Sequence, residues 1–227
     1  MRRRPIQKLS RSPMTLIFGV IFNMTATAIY YYWLNEKEHS AKPGEVFMGE
    51  MHNVFWYTGI VLLAICFPMF ILSVSLQPGY LTPFYDYTKL VEIALDIGLH
   101  LDNFCSYCEV IKSETSFHCT ICGKCVEYYD HHCPFINNCL GYRNHAYFLT
   151  FIFLYTFYLL VILTDTMRHF VEIFKETGFR CLYTDSLCTT NLILITLHLP
   201  IFFYQIVQQV GTLIKKPKAA PSQFLNT

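Results

Sequence analysis

Residues 105–139 read CSYCEVIKSETSFHCTICGKCVEYYDHHCPFINNC, and seven of the ten cysteines of the chain fall within them. Cys105/Cys108 and Cys119/Cys122 are CxxC pairs, a spacing that suits knuckles around tetrahedral zinc better than a scattered disulfide scaffold. With His118, His131 and His132 the stretch offers ten donors, and two closed zinc sites would use about eight. The remainder is informative. A purely structural pair of sites has no use for a spare Cys and His side by side, and Asp130-His131-His132-Cys133 is where such a pair falls. There a carboxylate can hold one imidazole nitrogen and leave the other to move a proton. A cysteine beside that ring becomes a thiolate nucleophile. The competing reading makes Asp130 the outer partner that orients a zinc-bound His.

Outward from this stretch the chain turns apolar. Its 227 residues are 53% hydrophobic, 17% aromatic and only 15% charged, with a mean hydropathy of +0.34. An ordinary soluble domain carries about a quarter charged residues. The net charge of +1 removes any global electrostatic case for nucleic acid. Disorder, collagen and coiled coil are excluded as well. Four runs, Met14–Leu34, Val54–Leu76, Tyr147–Asp165 and Leu192–Val210, are each long enough to cross a hydrocarbon core of ~30 Å as a helix. The first exceeds a signal-peptide core and has no small-residue cleavage site, so it reads as an anchor. Pro68 and Pro200 are expected to kink their spans without breaking them. No internal repeat or low-complexity stretch is read, and 215–227 reads as a short disordered tail.

Basic residues orient the spans. Arg2, Arg3, Arg4, Lys8 and Arg11 precede the first run, and Lys215, Lys216 and Lys218 follow the last. Loops 35–53 and 168–190 hold five basic residues against these eight, so both termini are expected in the cytosol, with 77–146 on the same side. Cys181 and Cys188 would then face the oxidising side, where a disulfide and two free thiols stay equally open. Cys66, inside the second run, reads as a small buried hydrophobe. His145 is expected at a solvated interface, and His198 in a helix-packing hydrogen bond. The segment Tyr85–Leu101 reads as a linker helix or a helix on the membrane surface.

The full pattern is C-x2-C-x9-H-C-x2-C-x2-C-x4-D-H-H-C-x5-C-x4-N-x3-F, ending in Asn144 and Phe148. It resembles the DHHC-type protein S-acyltransferases (palmitoyltransferases) at every position, and the arrangement of two spans, a cysteine-rich loop and two further spans is similar too. The resemblance implies an all-α polytopic membrane protein: four transmembrane helices with a cytosolic, zinc-stabilised cysteine-rich domain between the second and third. Its parts would be 1–76 (tail and spans one and two), 77–146 (cytosolic loop, with the DHHC core at 105–148), 147–214 (spans three and four with a lumenal loop) and 215–227 (cytosolic tail). It further implies two structural Zn2+ ions, one held by Cys105, Cys108, His118 and Cys125, the other by Cys119, Cys122, His132 and Cys139. That leaves Cys133 as nucleophile and carrier of an S-acyl intermediate, His131 as general base and Asp130 as its orienter.

The implied function is transfer of a long-chain acyl group from palmitoyl-CoA or another acyl-CoA to cysteines of membrane-proximal proteins on the cytosolic side. The implied setting is the lipid bilayer of the Golgi or endoplasmic reticulum, with an accessory subunit as an optional partner and no nucleic acid. Phe148, Phe151, Tyr155 and Tyr158 share one face of the third span. Packing between spans accounts for most of that stripe, while Tyr155 and Tyr158 are candidates to line an acyl-chain cavity. The chain departs from the family pattern in three places. Gln77-Pro78-Gly79 stands for Asp-Pro-Gly, Phe135 for a Trp, and Gly211-Thr212-Leu213-Ile214 where a Thr-Thr-x-Glu motif is usual; the longer C-terminal segment of many members is also lacking. The missing C-terminal motif favours the alternative of a non-catalytic or partner-dependent adaptor of the same fold, and the intact Asp130-His131-His132-Cys133 favours the enzyme. A RING-type ligase fails because no later CxxC pair follows Cys139.

Overall fold

An apolar segment in lipid must satisfy its backbone internally, and a helix does so. The computed structural model describes residues 15–39, 49–83, 86–98 and 103–215, and helices make up most of them. The long ones are α1 (Thr15–His39), α2 (Gly49–Ser75), α4 (His145–Thr177) and α6 (Ser186–Lys215); α3 (Tyr87–Asp96) and α5 (Cys181–Thr184) are short. Each long helix covers one of the four apolar runs to within a residue and overshoots it at one end or both. Asn53–Ser75, His145–Tyr183 and Ser186–Leu213 are long and apolar enough to cross a membrane. Pro68 and Pro200 lie inside α2 and α6 without ending either. The basic flanks (Arg2 to Arg11; Lys216 and Lys218), the 216–227 part of the tail and residues 40–48 of the first loop fall outside the described residues.

The described residues divide into two compact units, one within 15–71 and 147–208, the other within 72–146 and 209–215. Aromatic packing dominates the first. Phe70 of α2 meets Phe151 of α4 at 5.1 Å, and Tyr155 of α4 meets Phe202 of α6 at 4.5 Å. Tyr31 of α1 stacks on Trp56 of α2 at 5.3 Å. Some of the polar groups among these helices are joined by hydrogen bonds. The Tyr155 hydroxyl donates to Asn23 Oδ1 (2.9 Å), Thr27 Oγ1 to Asn191 Oδ1 (3.0 Å), and Asn191 Nδ2 to Thr166 Oγ1 (3.1 Å). Such interhelical bonds are worth about 0.6 kcal/mol each on average. Cys66 is buried as expected, and Cys181 and Cys188 are buried free thiols with no disulfide between them. The His198 ring bonds the Leu194 carbonyl of its own helix (2.7 Å), not a neighbouring helix as expected: four residues back is the nearest acceptor that a helical side chain meets.

The second unit has little regular structure to bury. Its strands are β1 (Phe104–Cys105), β2 (Val110–Ile111), β3 (Phe117–Cys119), β4 (Lys124–Val126), β5 (His132–Cys133) and β6 (Asn138–Cys139), paired in sequence order into three antiparallel hairpins. Two asparagines tie these hairpins to the end of α2, whose last carbonyls have no partner within the helix. Asn138 Nδ2 donates to the carbonyls of Val74 (3.2 Å) and Leu76 (3.0 Å), and the buried Asn144 donates to Ser73 (3.3 Å) and Cys139 (2.9 Å). Gly141 has no room for a side chain, since a Cβ there would lie 2.4 Å from the Pro78 carbonyl. The Gln77-Pro78-Gly79 segment serves through its backbone: Gly79 accepts from Glu127 N (2.8 Å), and Leu81 N donates to Cys125 O (2.9 Å). The substitution at position 77 leaves those contacts in place.

Candidate functional site

The three hairpins are one unit repeated at a step of fourteen residues, Phe104–Ile111, His118–Cys125 and His132–Cys139. Their registers coincide: Phe104 pairs with Ile111, His118 with Cys125, His132 with Cys139. In each repeat the fifth residue after its first takes a left-handed backbone, Glu109 (φ 56°), Gly123 (66°) and Asn137 (48°). This corrects the expectation of no internal repeat. The repeat lies in the backbone path, and only part of it shows in residue identity. The first two turns carry CxxC knuckles, whereas the third carries Cys133 at the first position and Ile136, fully buried, at the second.

Donors from successive repeats converge. Cys105, Cys108, His118 and Cys125 form one cluster, Cys119, Cys122, His132 and Cys139 the other, and within each every donor atom lies within 4.8 Å of the rest. His118 Nδ1 is 3.5 Å from Cys105 Sγ, 3.2 Å from Cys108 Sγ and 3.7 Å from Cys125 Sγ. His132 Nδ1 is 3.3 Å from Cys122 Sγ and 3.7 Å from Cys139 Sγ. Tetrahedral zinc with bonds of about 2.0–2.3 Å would set its ligands about 3.5–3.8 Å apart, so both clusters fit such an ion. The sulfurs also crowd one another. Burial and the neighbouring Cys105 and Cys108 push the Cys125 thiol far above its usual range, and Cys122 together with burial does the same to Cys139. Thiols so placed need a cation to ionise together. Tyr107 stacks on His118 at 5.4 Å and fixes that ring.

Cys133 belongs to neither cluster. It is fully buried at the head of the third turn, two residues past His131. His131 Nδ1 and Asp130 Oδ2 are 2.9 Å apart, with the Asp130 side chain 2% exposed and that of His131 36%. Burial pulls the His131 pKa down, but its hydrogen bonds to Asp130 and Cys133 and the charge on both outweigh burial and push it up to about 9. An imidazole so placed holds its proton more firmly than a free one.

Two residues absent from the sequence-based site meet the same carboxylate. Gln209 Nε2 donates to Asp130 Oδ2 (3.0 Å), and Gln209 Oε1 pairs with His145 Nε2 (2.9 Å). His145 Nε2 also stands 3.9 Å from Asp130 Oδ2. His145 is therefore part of a hydrogen-bonded group, with its side chain only 20% exposed, and not the solvated residue expected. A Gln at the end of an apolar helix, 79 residues from its partner, carries no local motif that could have revealed it.

Tyr155 and Tyr158 lie on the buried face of α4, stacked at 5.8 Å, with Tyr155 bound to Asn23. Tyr158 lines a cavity of about 50 Å3 with Thr27, Tyr31, Trp56, Leu63 and Ile162. Pockets that enclose a ligand measure about 300–1,000 Å3, so this space holds at most the end of a chain. Phe148 and Phe151 are buried on the same helix, in accord with packing along the stripe.

The sequence profile of the DHHC palmitoyltransferase family matches residues 99–215, just over half of the chain. Palmitoyltransferase ZDHHC17 of Rattus norvegicus is 28% identical over 163 residues, covering 63% of this chain and 26% of that protein. Palmitoyltransferase ZDHHC14 of Homo sapiens is 35% identical over 83 residues, or 37% of this chain and 17% of its own length. Probable protein S-acyltransferase 14 of Arabidopsis thaliana is 42% identical over 74 residues, 32% of this chain and 24% of its own. The chain thus spans about a quarter of the length of these relatives or less. With two Cys/His clusters able to hold metal ions and three helices able to cross a membrane, the chain belongs to the DHHC palmitoyltransferase family.

Proposed function

We propose that the chain is a protein S-acyltransferase that moves a palmitoyl or similar long-chain acyl group from acyl-CoA to cysteines of membrane-proximal proteins. The observation that carries this reading is the third hairpin. Its leading cysteine, Cys133, lies outside both four-donor clusters and beside a His131 that is itself bonded to a buried Asp130. The relatives named as palmitoyltransferases support the same chemistry.

The Cys133 thiolate attacks the carbonyl carbon of the acyl-CoA thioester, a C–S bond forms as the bond to the CoA sulfur breaks, and the CoA thiolate takes the proton held on His131 Nε2. A substrate cysteine then gives its proton to His131 and attacks the acyl-Cys133 carbonyl, so Cys133 returns as a thiolate. Asp130 keeps the His131 Nδ1–H fixed through both steps. Each step exchanges one thioester for another, so the protein must mainly position and ionise thiols. Burial of Cys133 shields the thioester from water between steps. Cys105, Cys108, His118 and Cys125 would hold one Zn2+ ion and Cys119, Cys122, His132 and Cys139 the other. Zinc so bound supplies structural cross-links, because four protein donors leave no open position.

A sixteen-carbon chain gains about 12 kcal/mol on leaving water. A nucleophile near a bilayer can use the spans themselves to hold that chain. The chain is then read as four spans in an endomembrane, Golgi or endoplasmic reticulum, with both termini and the cysteine-rich domain cytosolic. Tyr158 is proposed to close the acyl-chain cavity, with Tyr155 beside it. The test is autoacylation of the purified protein with labelled palmitoyl-CoA: hydroxylamine-sensitive label is expected on the unmutated chain and none on Cys133→Ser. Equal labelling of the two would overturn the assignment.

A further inference from the structure

The Asp130 side chain is almost wholly buried, and a buried carboxylate keeps its charge and aim only through donors directed at it. Its Oδ2 meets His131 Nδ1 at 2.9 Å and Gln209 Nε2 at 3.0 Å. An ionised carboxylate only accepts, so the Gln209 amide must turn its NH2 toward Asp130 and its carbonyl away. The carbonyl then requires a donor, which His145 Nε2–H provides at 2.9 Å. The orientation of each group follows from the next, in the order His145, Gln209, Asp130, His131. Gln209 is fully buried near the end of α6.

We infer that Gln209, held by His145, is a positioning residue that fixes Asp130 Oδ2 and through it the ring of His131. The inference rests on the acyl-transfer reading above. It assigns to the end of α6 the task of setting the rate of thioester exchange, with no contact to acyl-CoA.

The experiment uses the full chain in detergent, following autoacylation by labelled palmitoyl-CoA across concentrations to separate the maximal rate from half-saturation. Zinc content serves as the measure of folding. Gln209→Met, which keeps the length and removes both polar atoms, should lower the maximal rate about tenfold or more, as expected for loss of a bond to a charged group. Half-saturation should stay within about twofold, with two zinc per chain. His145→Ala should slow the reaction by about threefold, His145→Gln, which keeps a donor, should restore most of it, and the double variant should be no slower than Gln209→Met alone. A Gln209→Met chain that keeps zinc and labels at the unmutated rate, or changes half-saturation only, would overturn the inference. If Gln209→Met loses zinc, the His145 pair decides: slowing with rescue supports the inference, and rates equal to the unmutated chain overturn it. Absence of Cys133-dependent label on the unmutated chain is a different result, because it removes the acyl-transfer reading itself.

Discussion

The first two hairpins and the third follow the same backbone path and differ in what their leading cysteines meet. In the first two, both knuckle sulfurs are joined by the His and the last Cys of the following repeat, so each cluster is closed. The third repeat is followed by α4, where no such His-Cys pair comes next, and Ile136 stands in place of its second sulfur. Cys133 therefore keeps the position of a metal ligand without the partners that would make it one. In the second knuckle Cys122 N donates to Cys119 Sγ at 3.4 Å.

The comparison breaks most visibly at the metal. Cys125→Ser or His132→Ala should each lose about one zinc equivalent and unfold the hairpins, as structural zinc in small fingers is worth about 10–16 kcal/mol. Zinc content by atomic absorption, together with protease sensitivity of 72–146, checks this; retention of both ions in either variant would show that the clusters are wrongly drawn. Cys133→Ser should do the reverse. Acyl label is lost, two zinc remain, and the thermal midpoint moves by only a few degrees, because the side chain it replaces has nearly the same volume.

His131→Ala sharpens the contrast between neighbours in the chain. It should slow autoacylation about 100-fold or more with metal retained, whereas His132→Ala loses metal; equal zinc loss from both would end the division of roles between them. Asp130→Ala should resemble His131→Ala in kind. The smallest effect is expected outside the hairpins. Tyr158→Ala enlarges a cavity of about 50 Å3 and should shift acyl-CoA preference a few-fold from sixteen carbons toward eighteen or longer, read from competition between chain lengths. An unchanged ratio would reject Tyr158 as the stop.

Much of this was legible because the chemistry demands particular residue types at particular spacings. Ten donors in 35 residues, arranged as CxxC pairs, announce two zinc-type sites and a surplus before any fold is known. Apolar runs of span length announce helices, since lipid leaves the backbone no alternative, and the helices found cover those runs. The adjacent Asp130 and His131 are joined in the structure as their order suggested.

What the tertiary structure decided lies where partners are far apart or where identity hides geometry. Gln209 reaches Asp130 across 79 residues, and no periodicity encodes a single long-range hydrogen bond. His145 looks like an interfacial residue until Gln209 Oε1 is found opposite it. Asn144 entered only as a position of the cysteine-rich pattern, yet it and Asn138 donate to the carbonyls of Ser73 and Val74 at the end of α2. The fourteen-residue repeat was present in the residues, yet Phe104 stands for His and Ile136 for Cys, so matching sides of it share shape and not chemistry. Donor types belong to the chain by covalent structure alone. Which of them lack a partner is settled only when the chain folds, because that depends on what every other segment brings into reach.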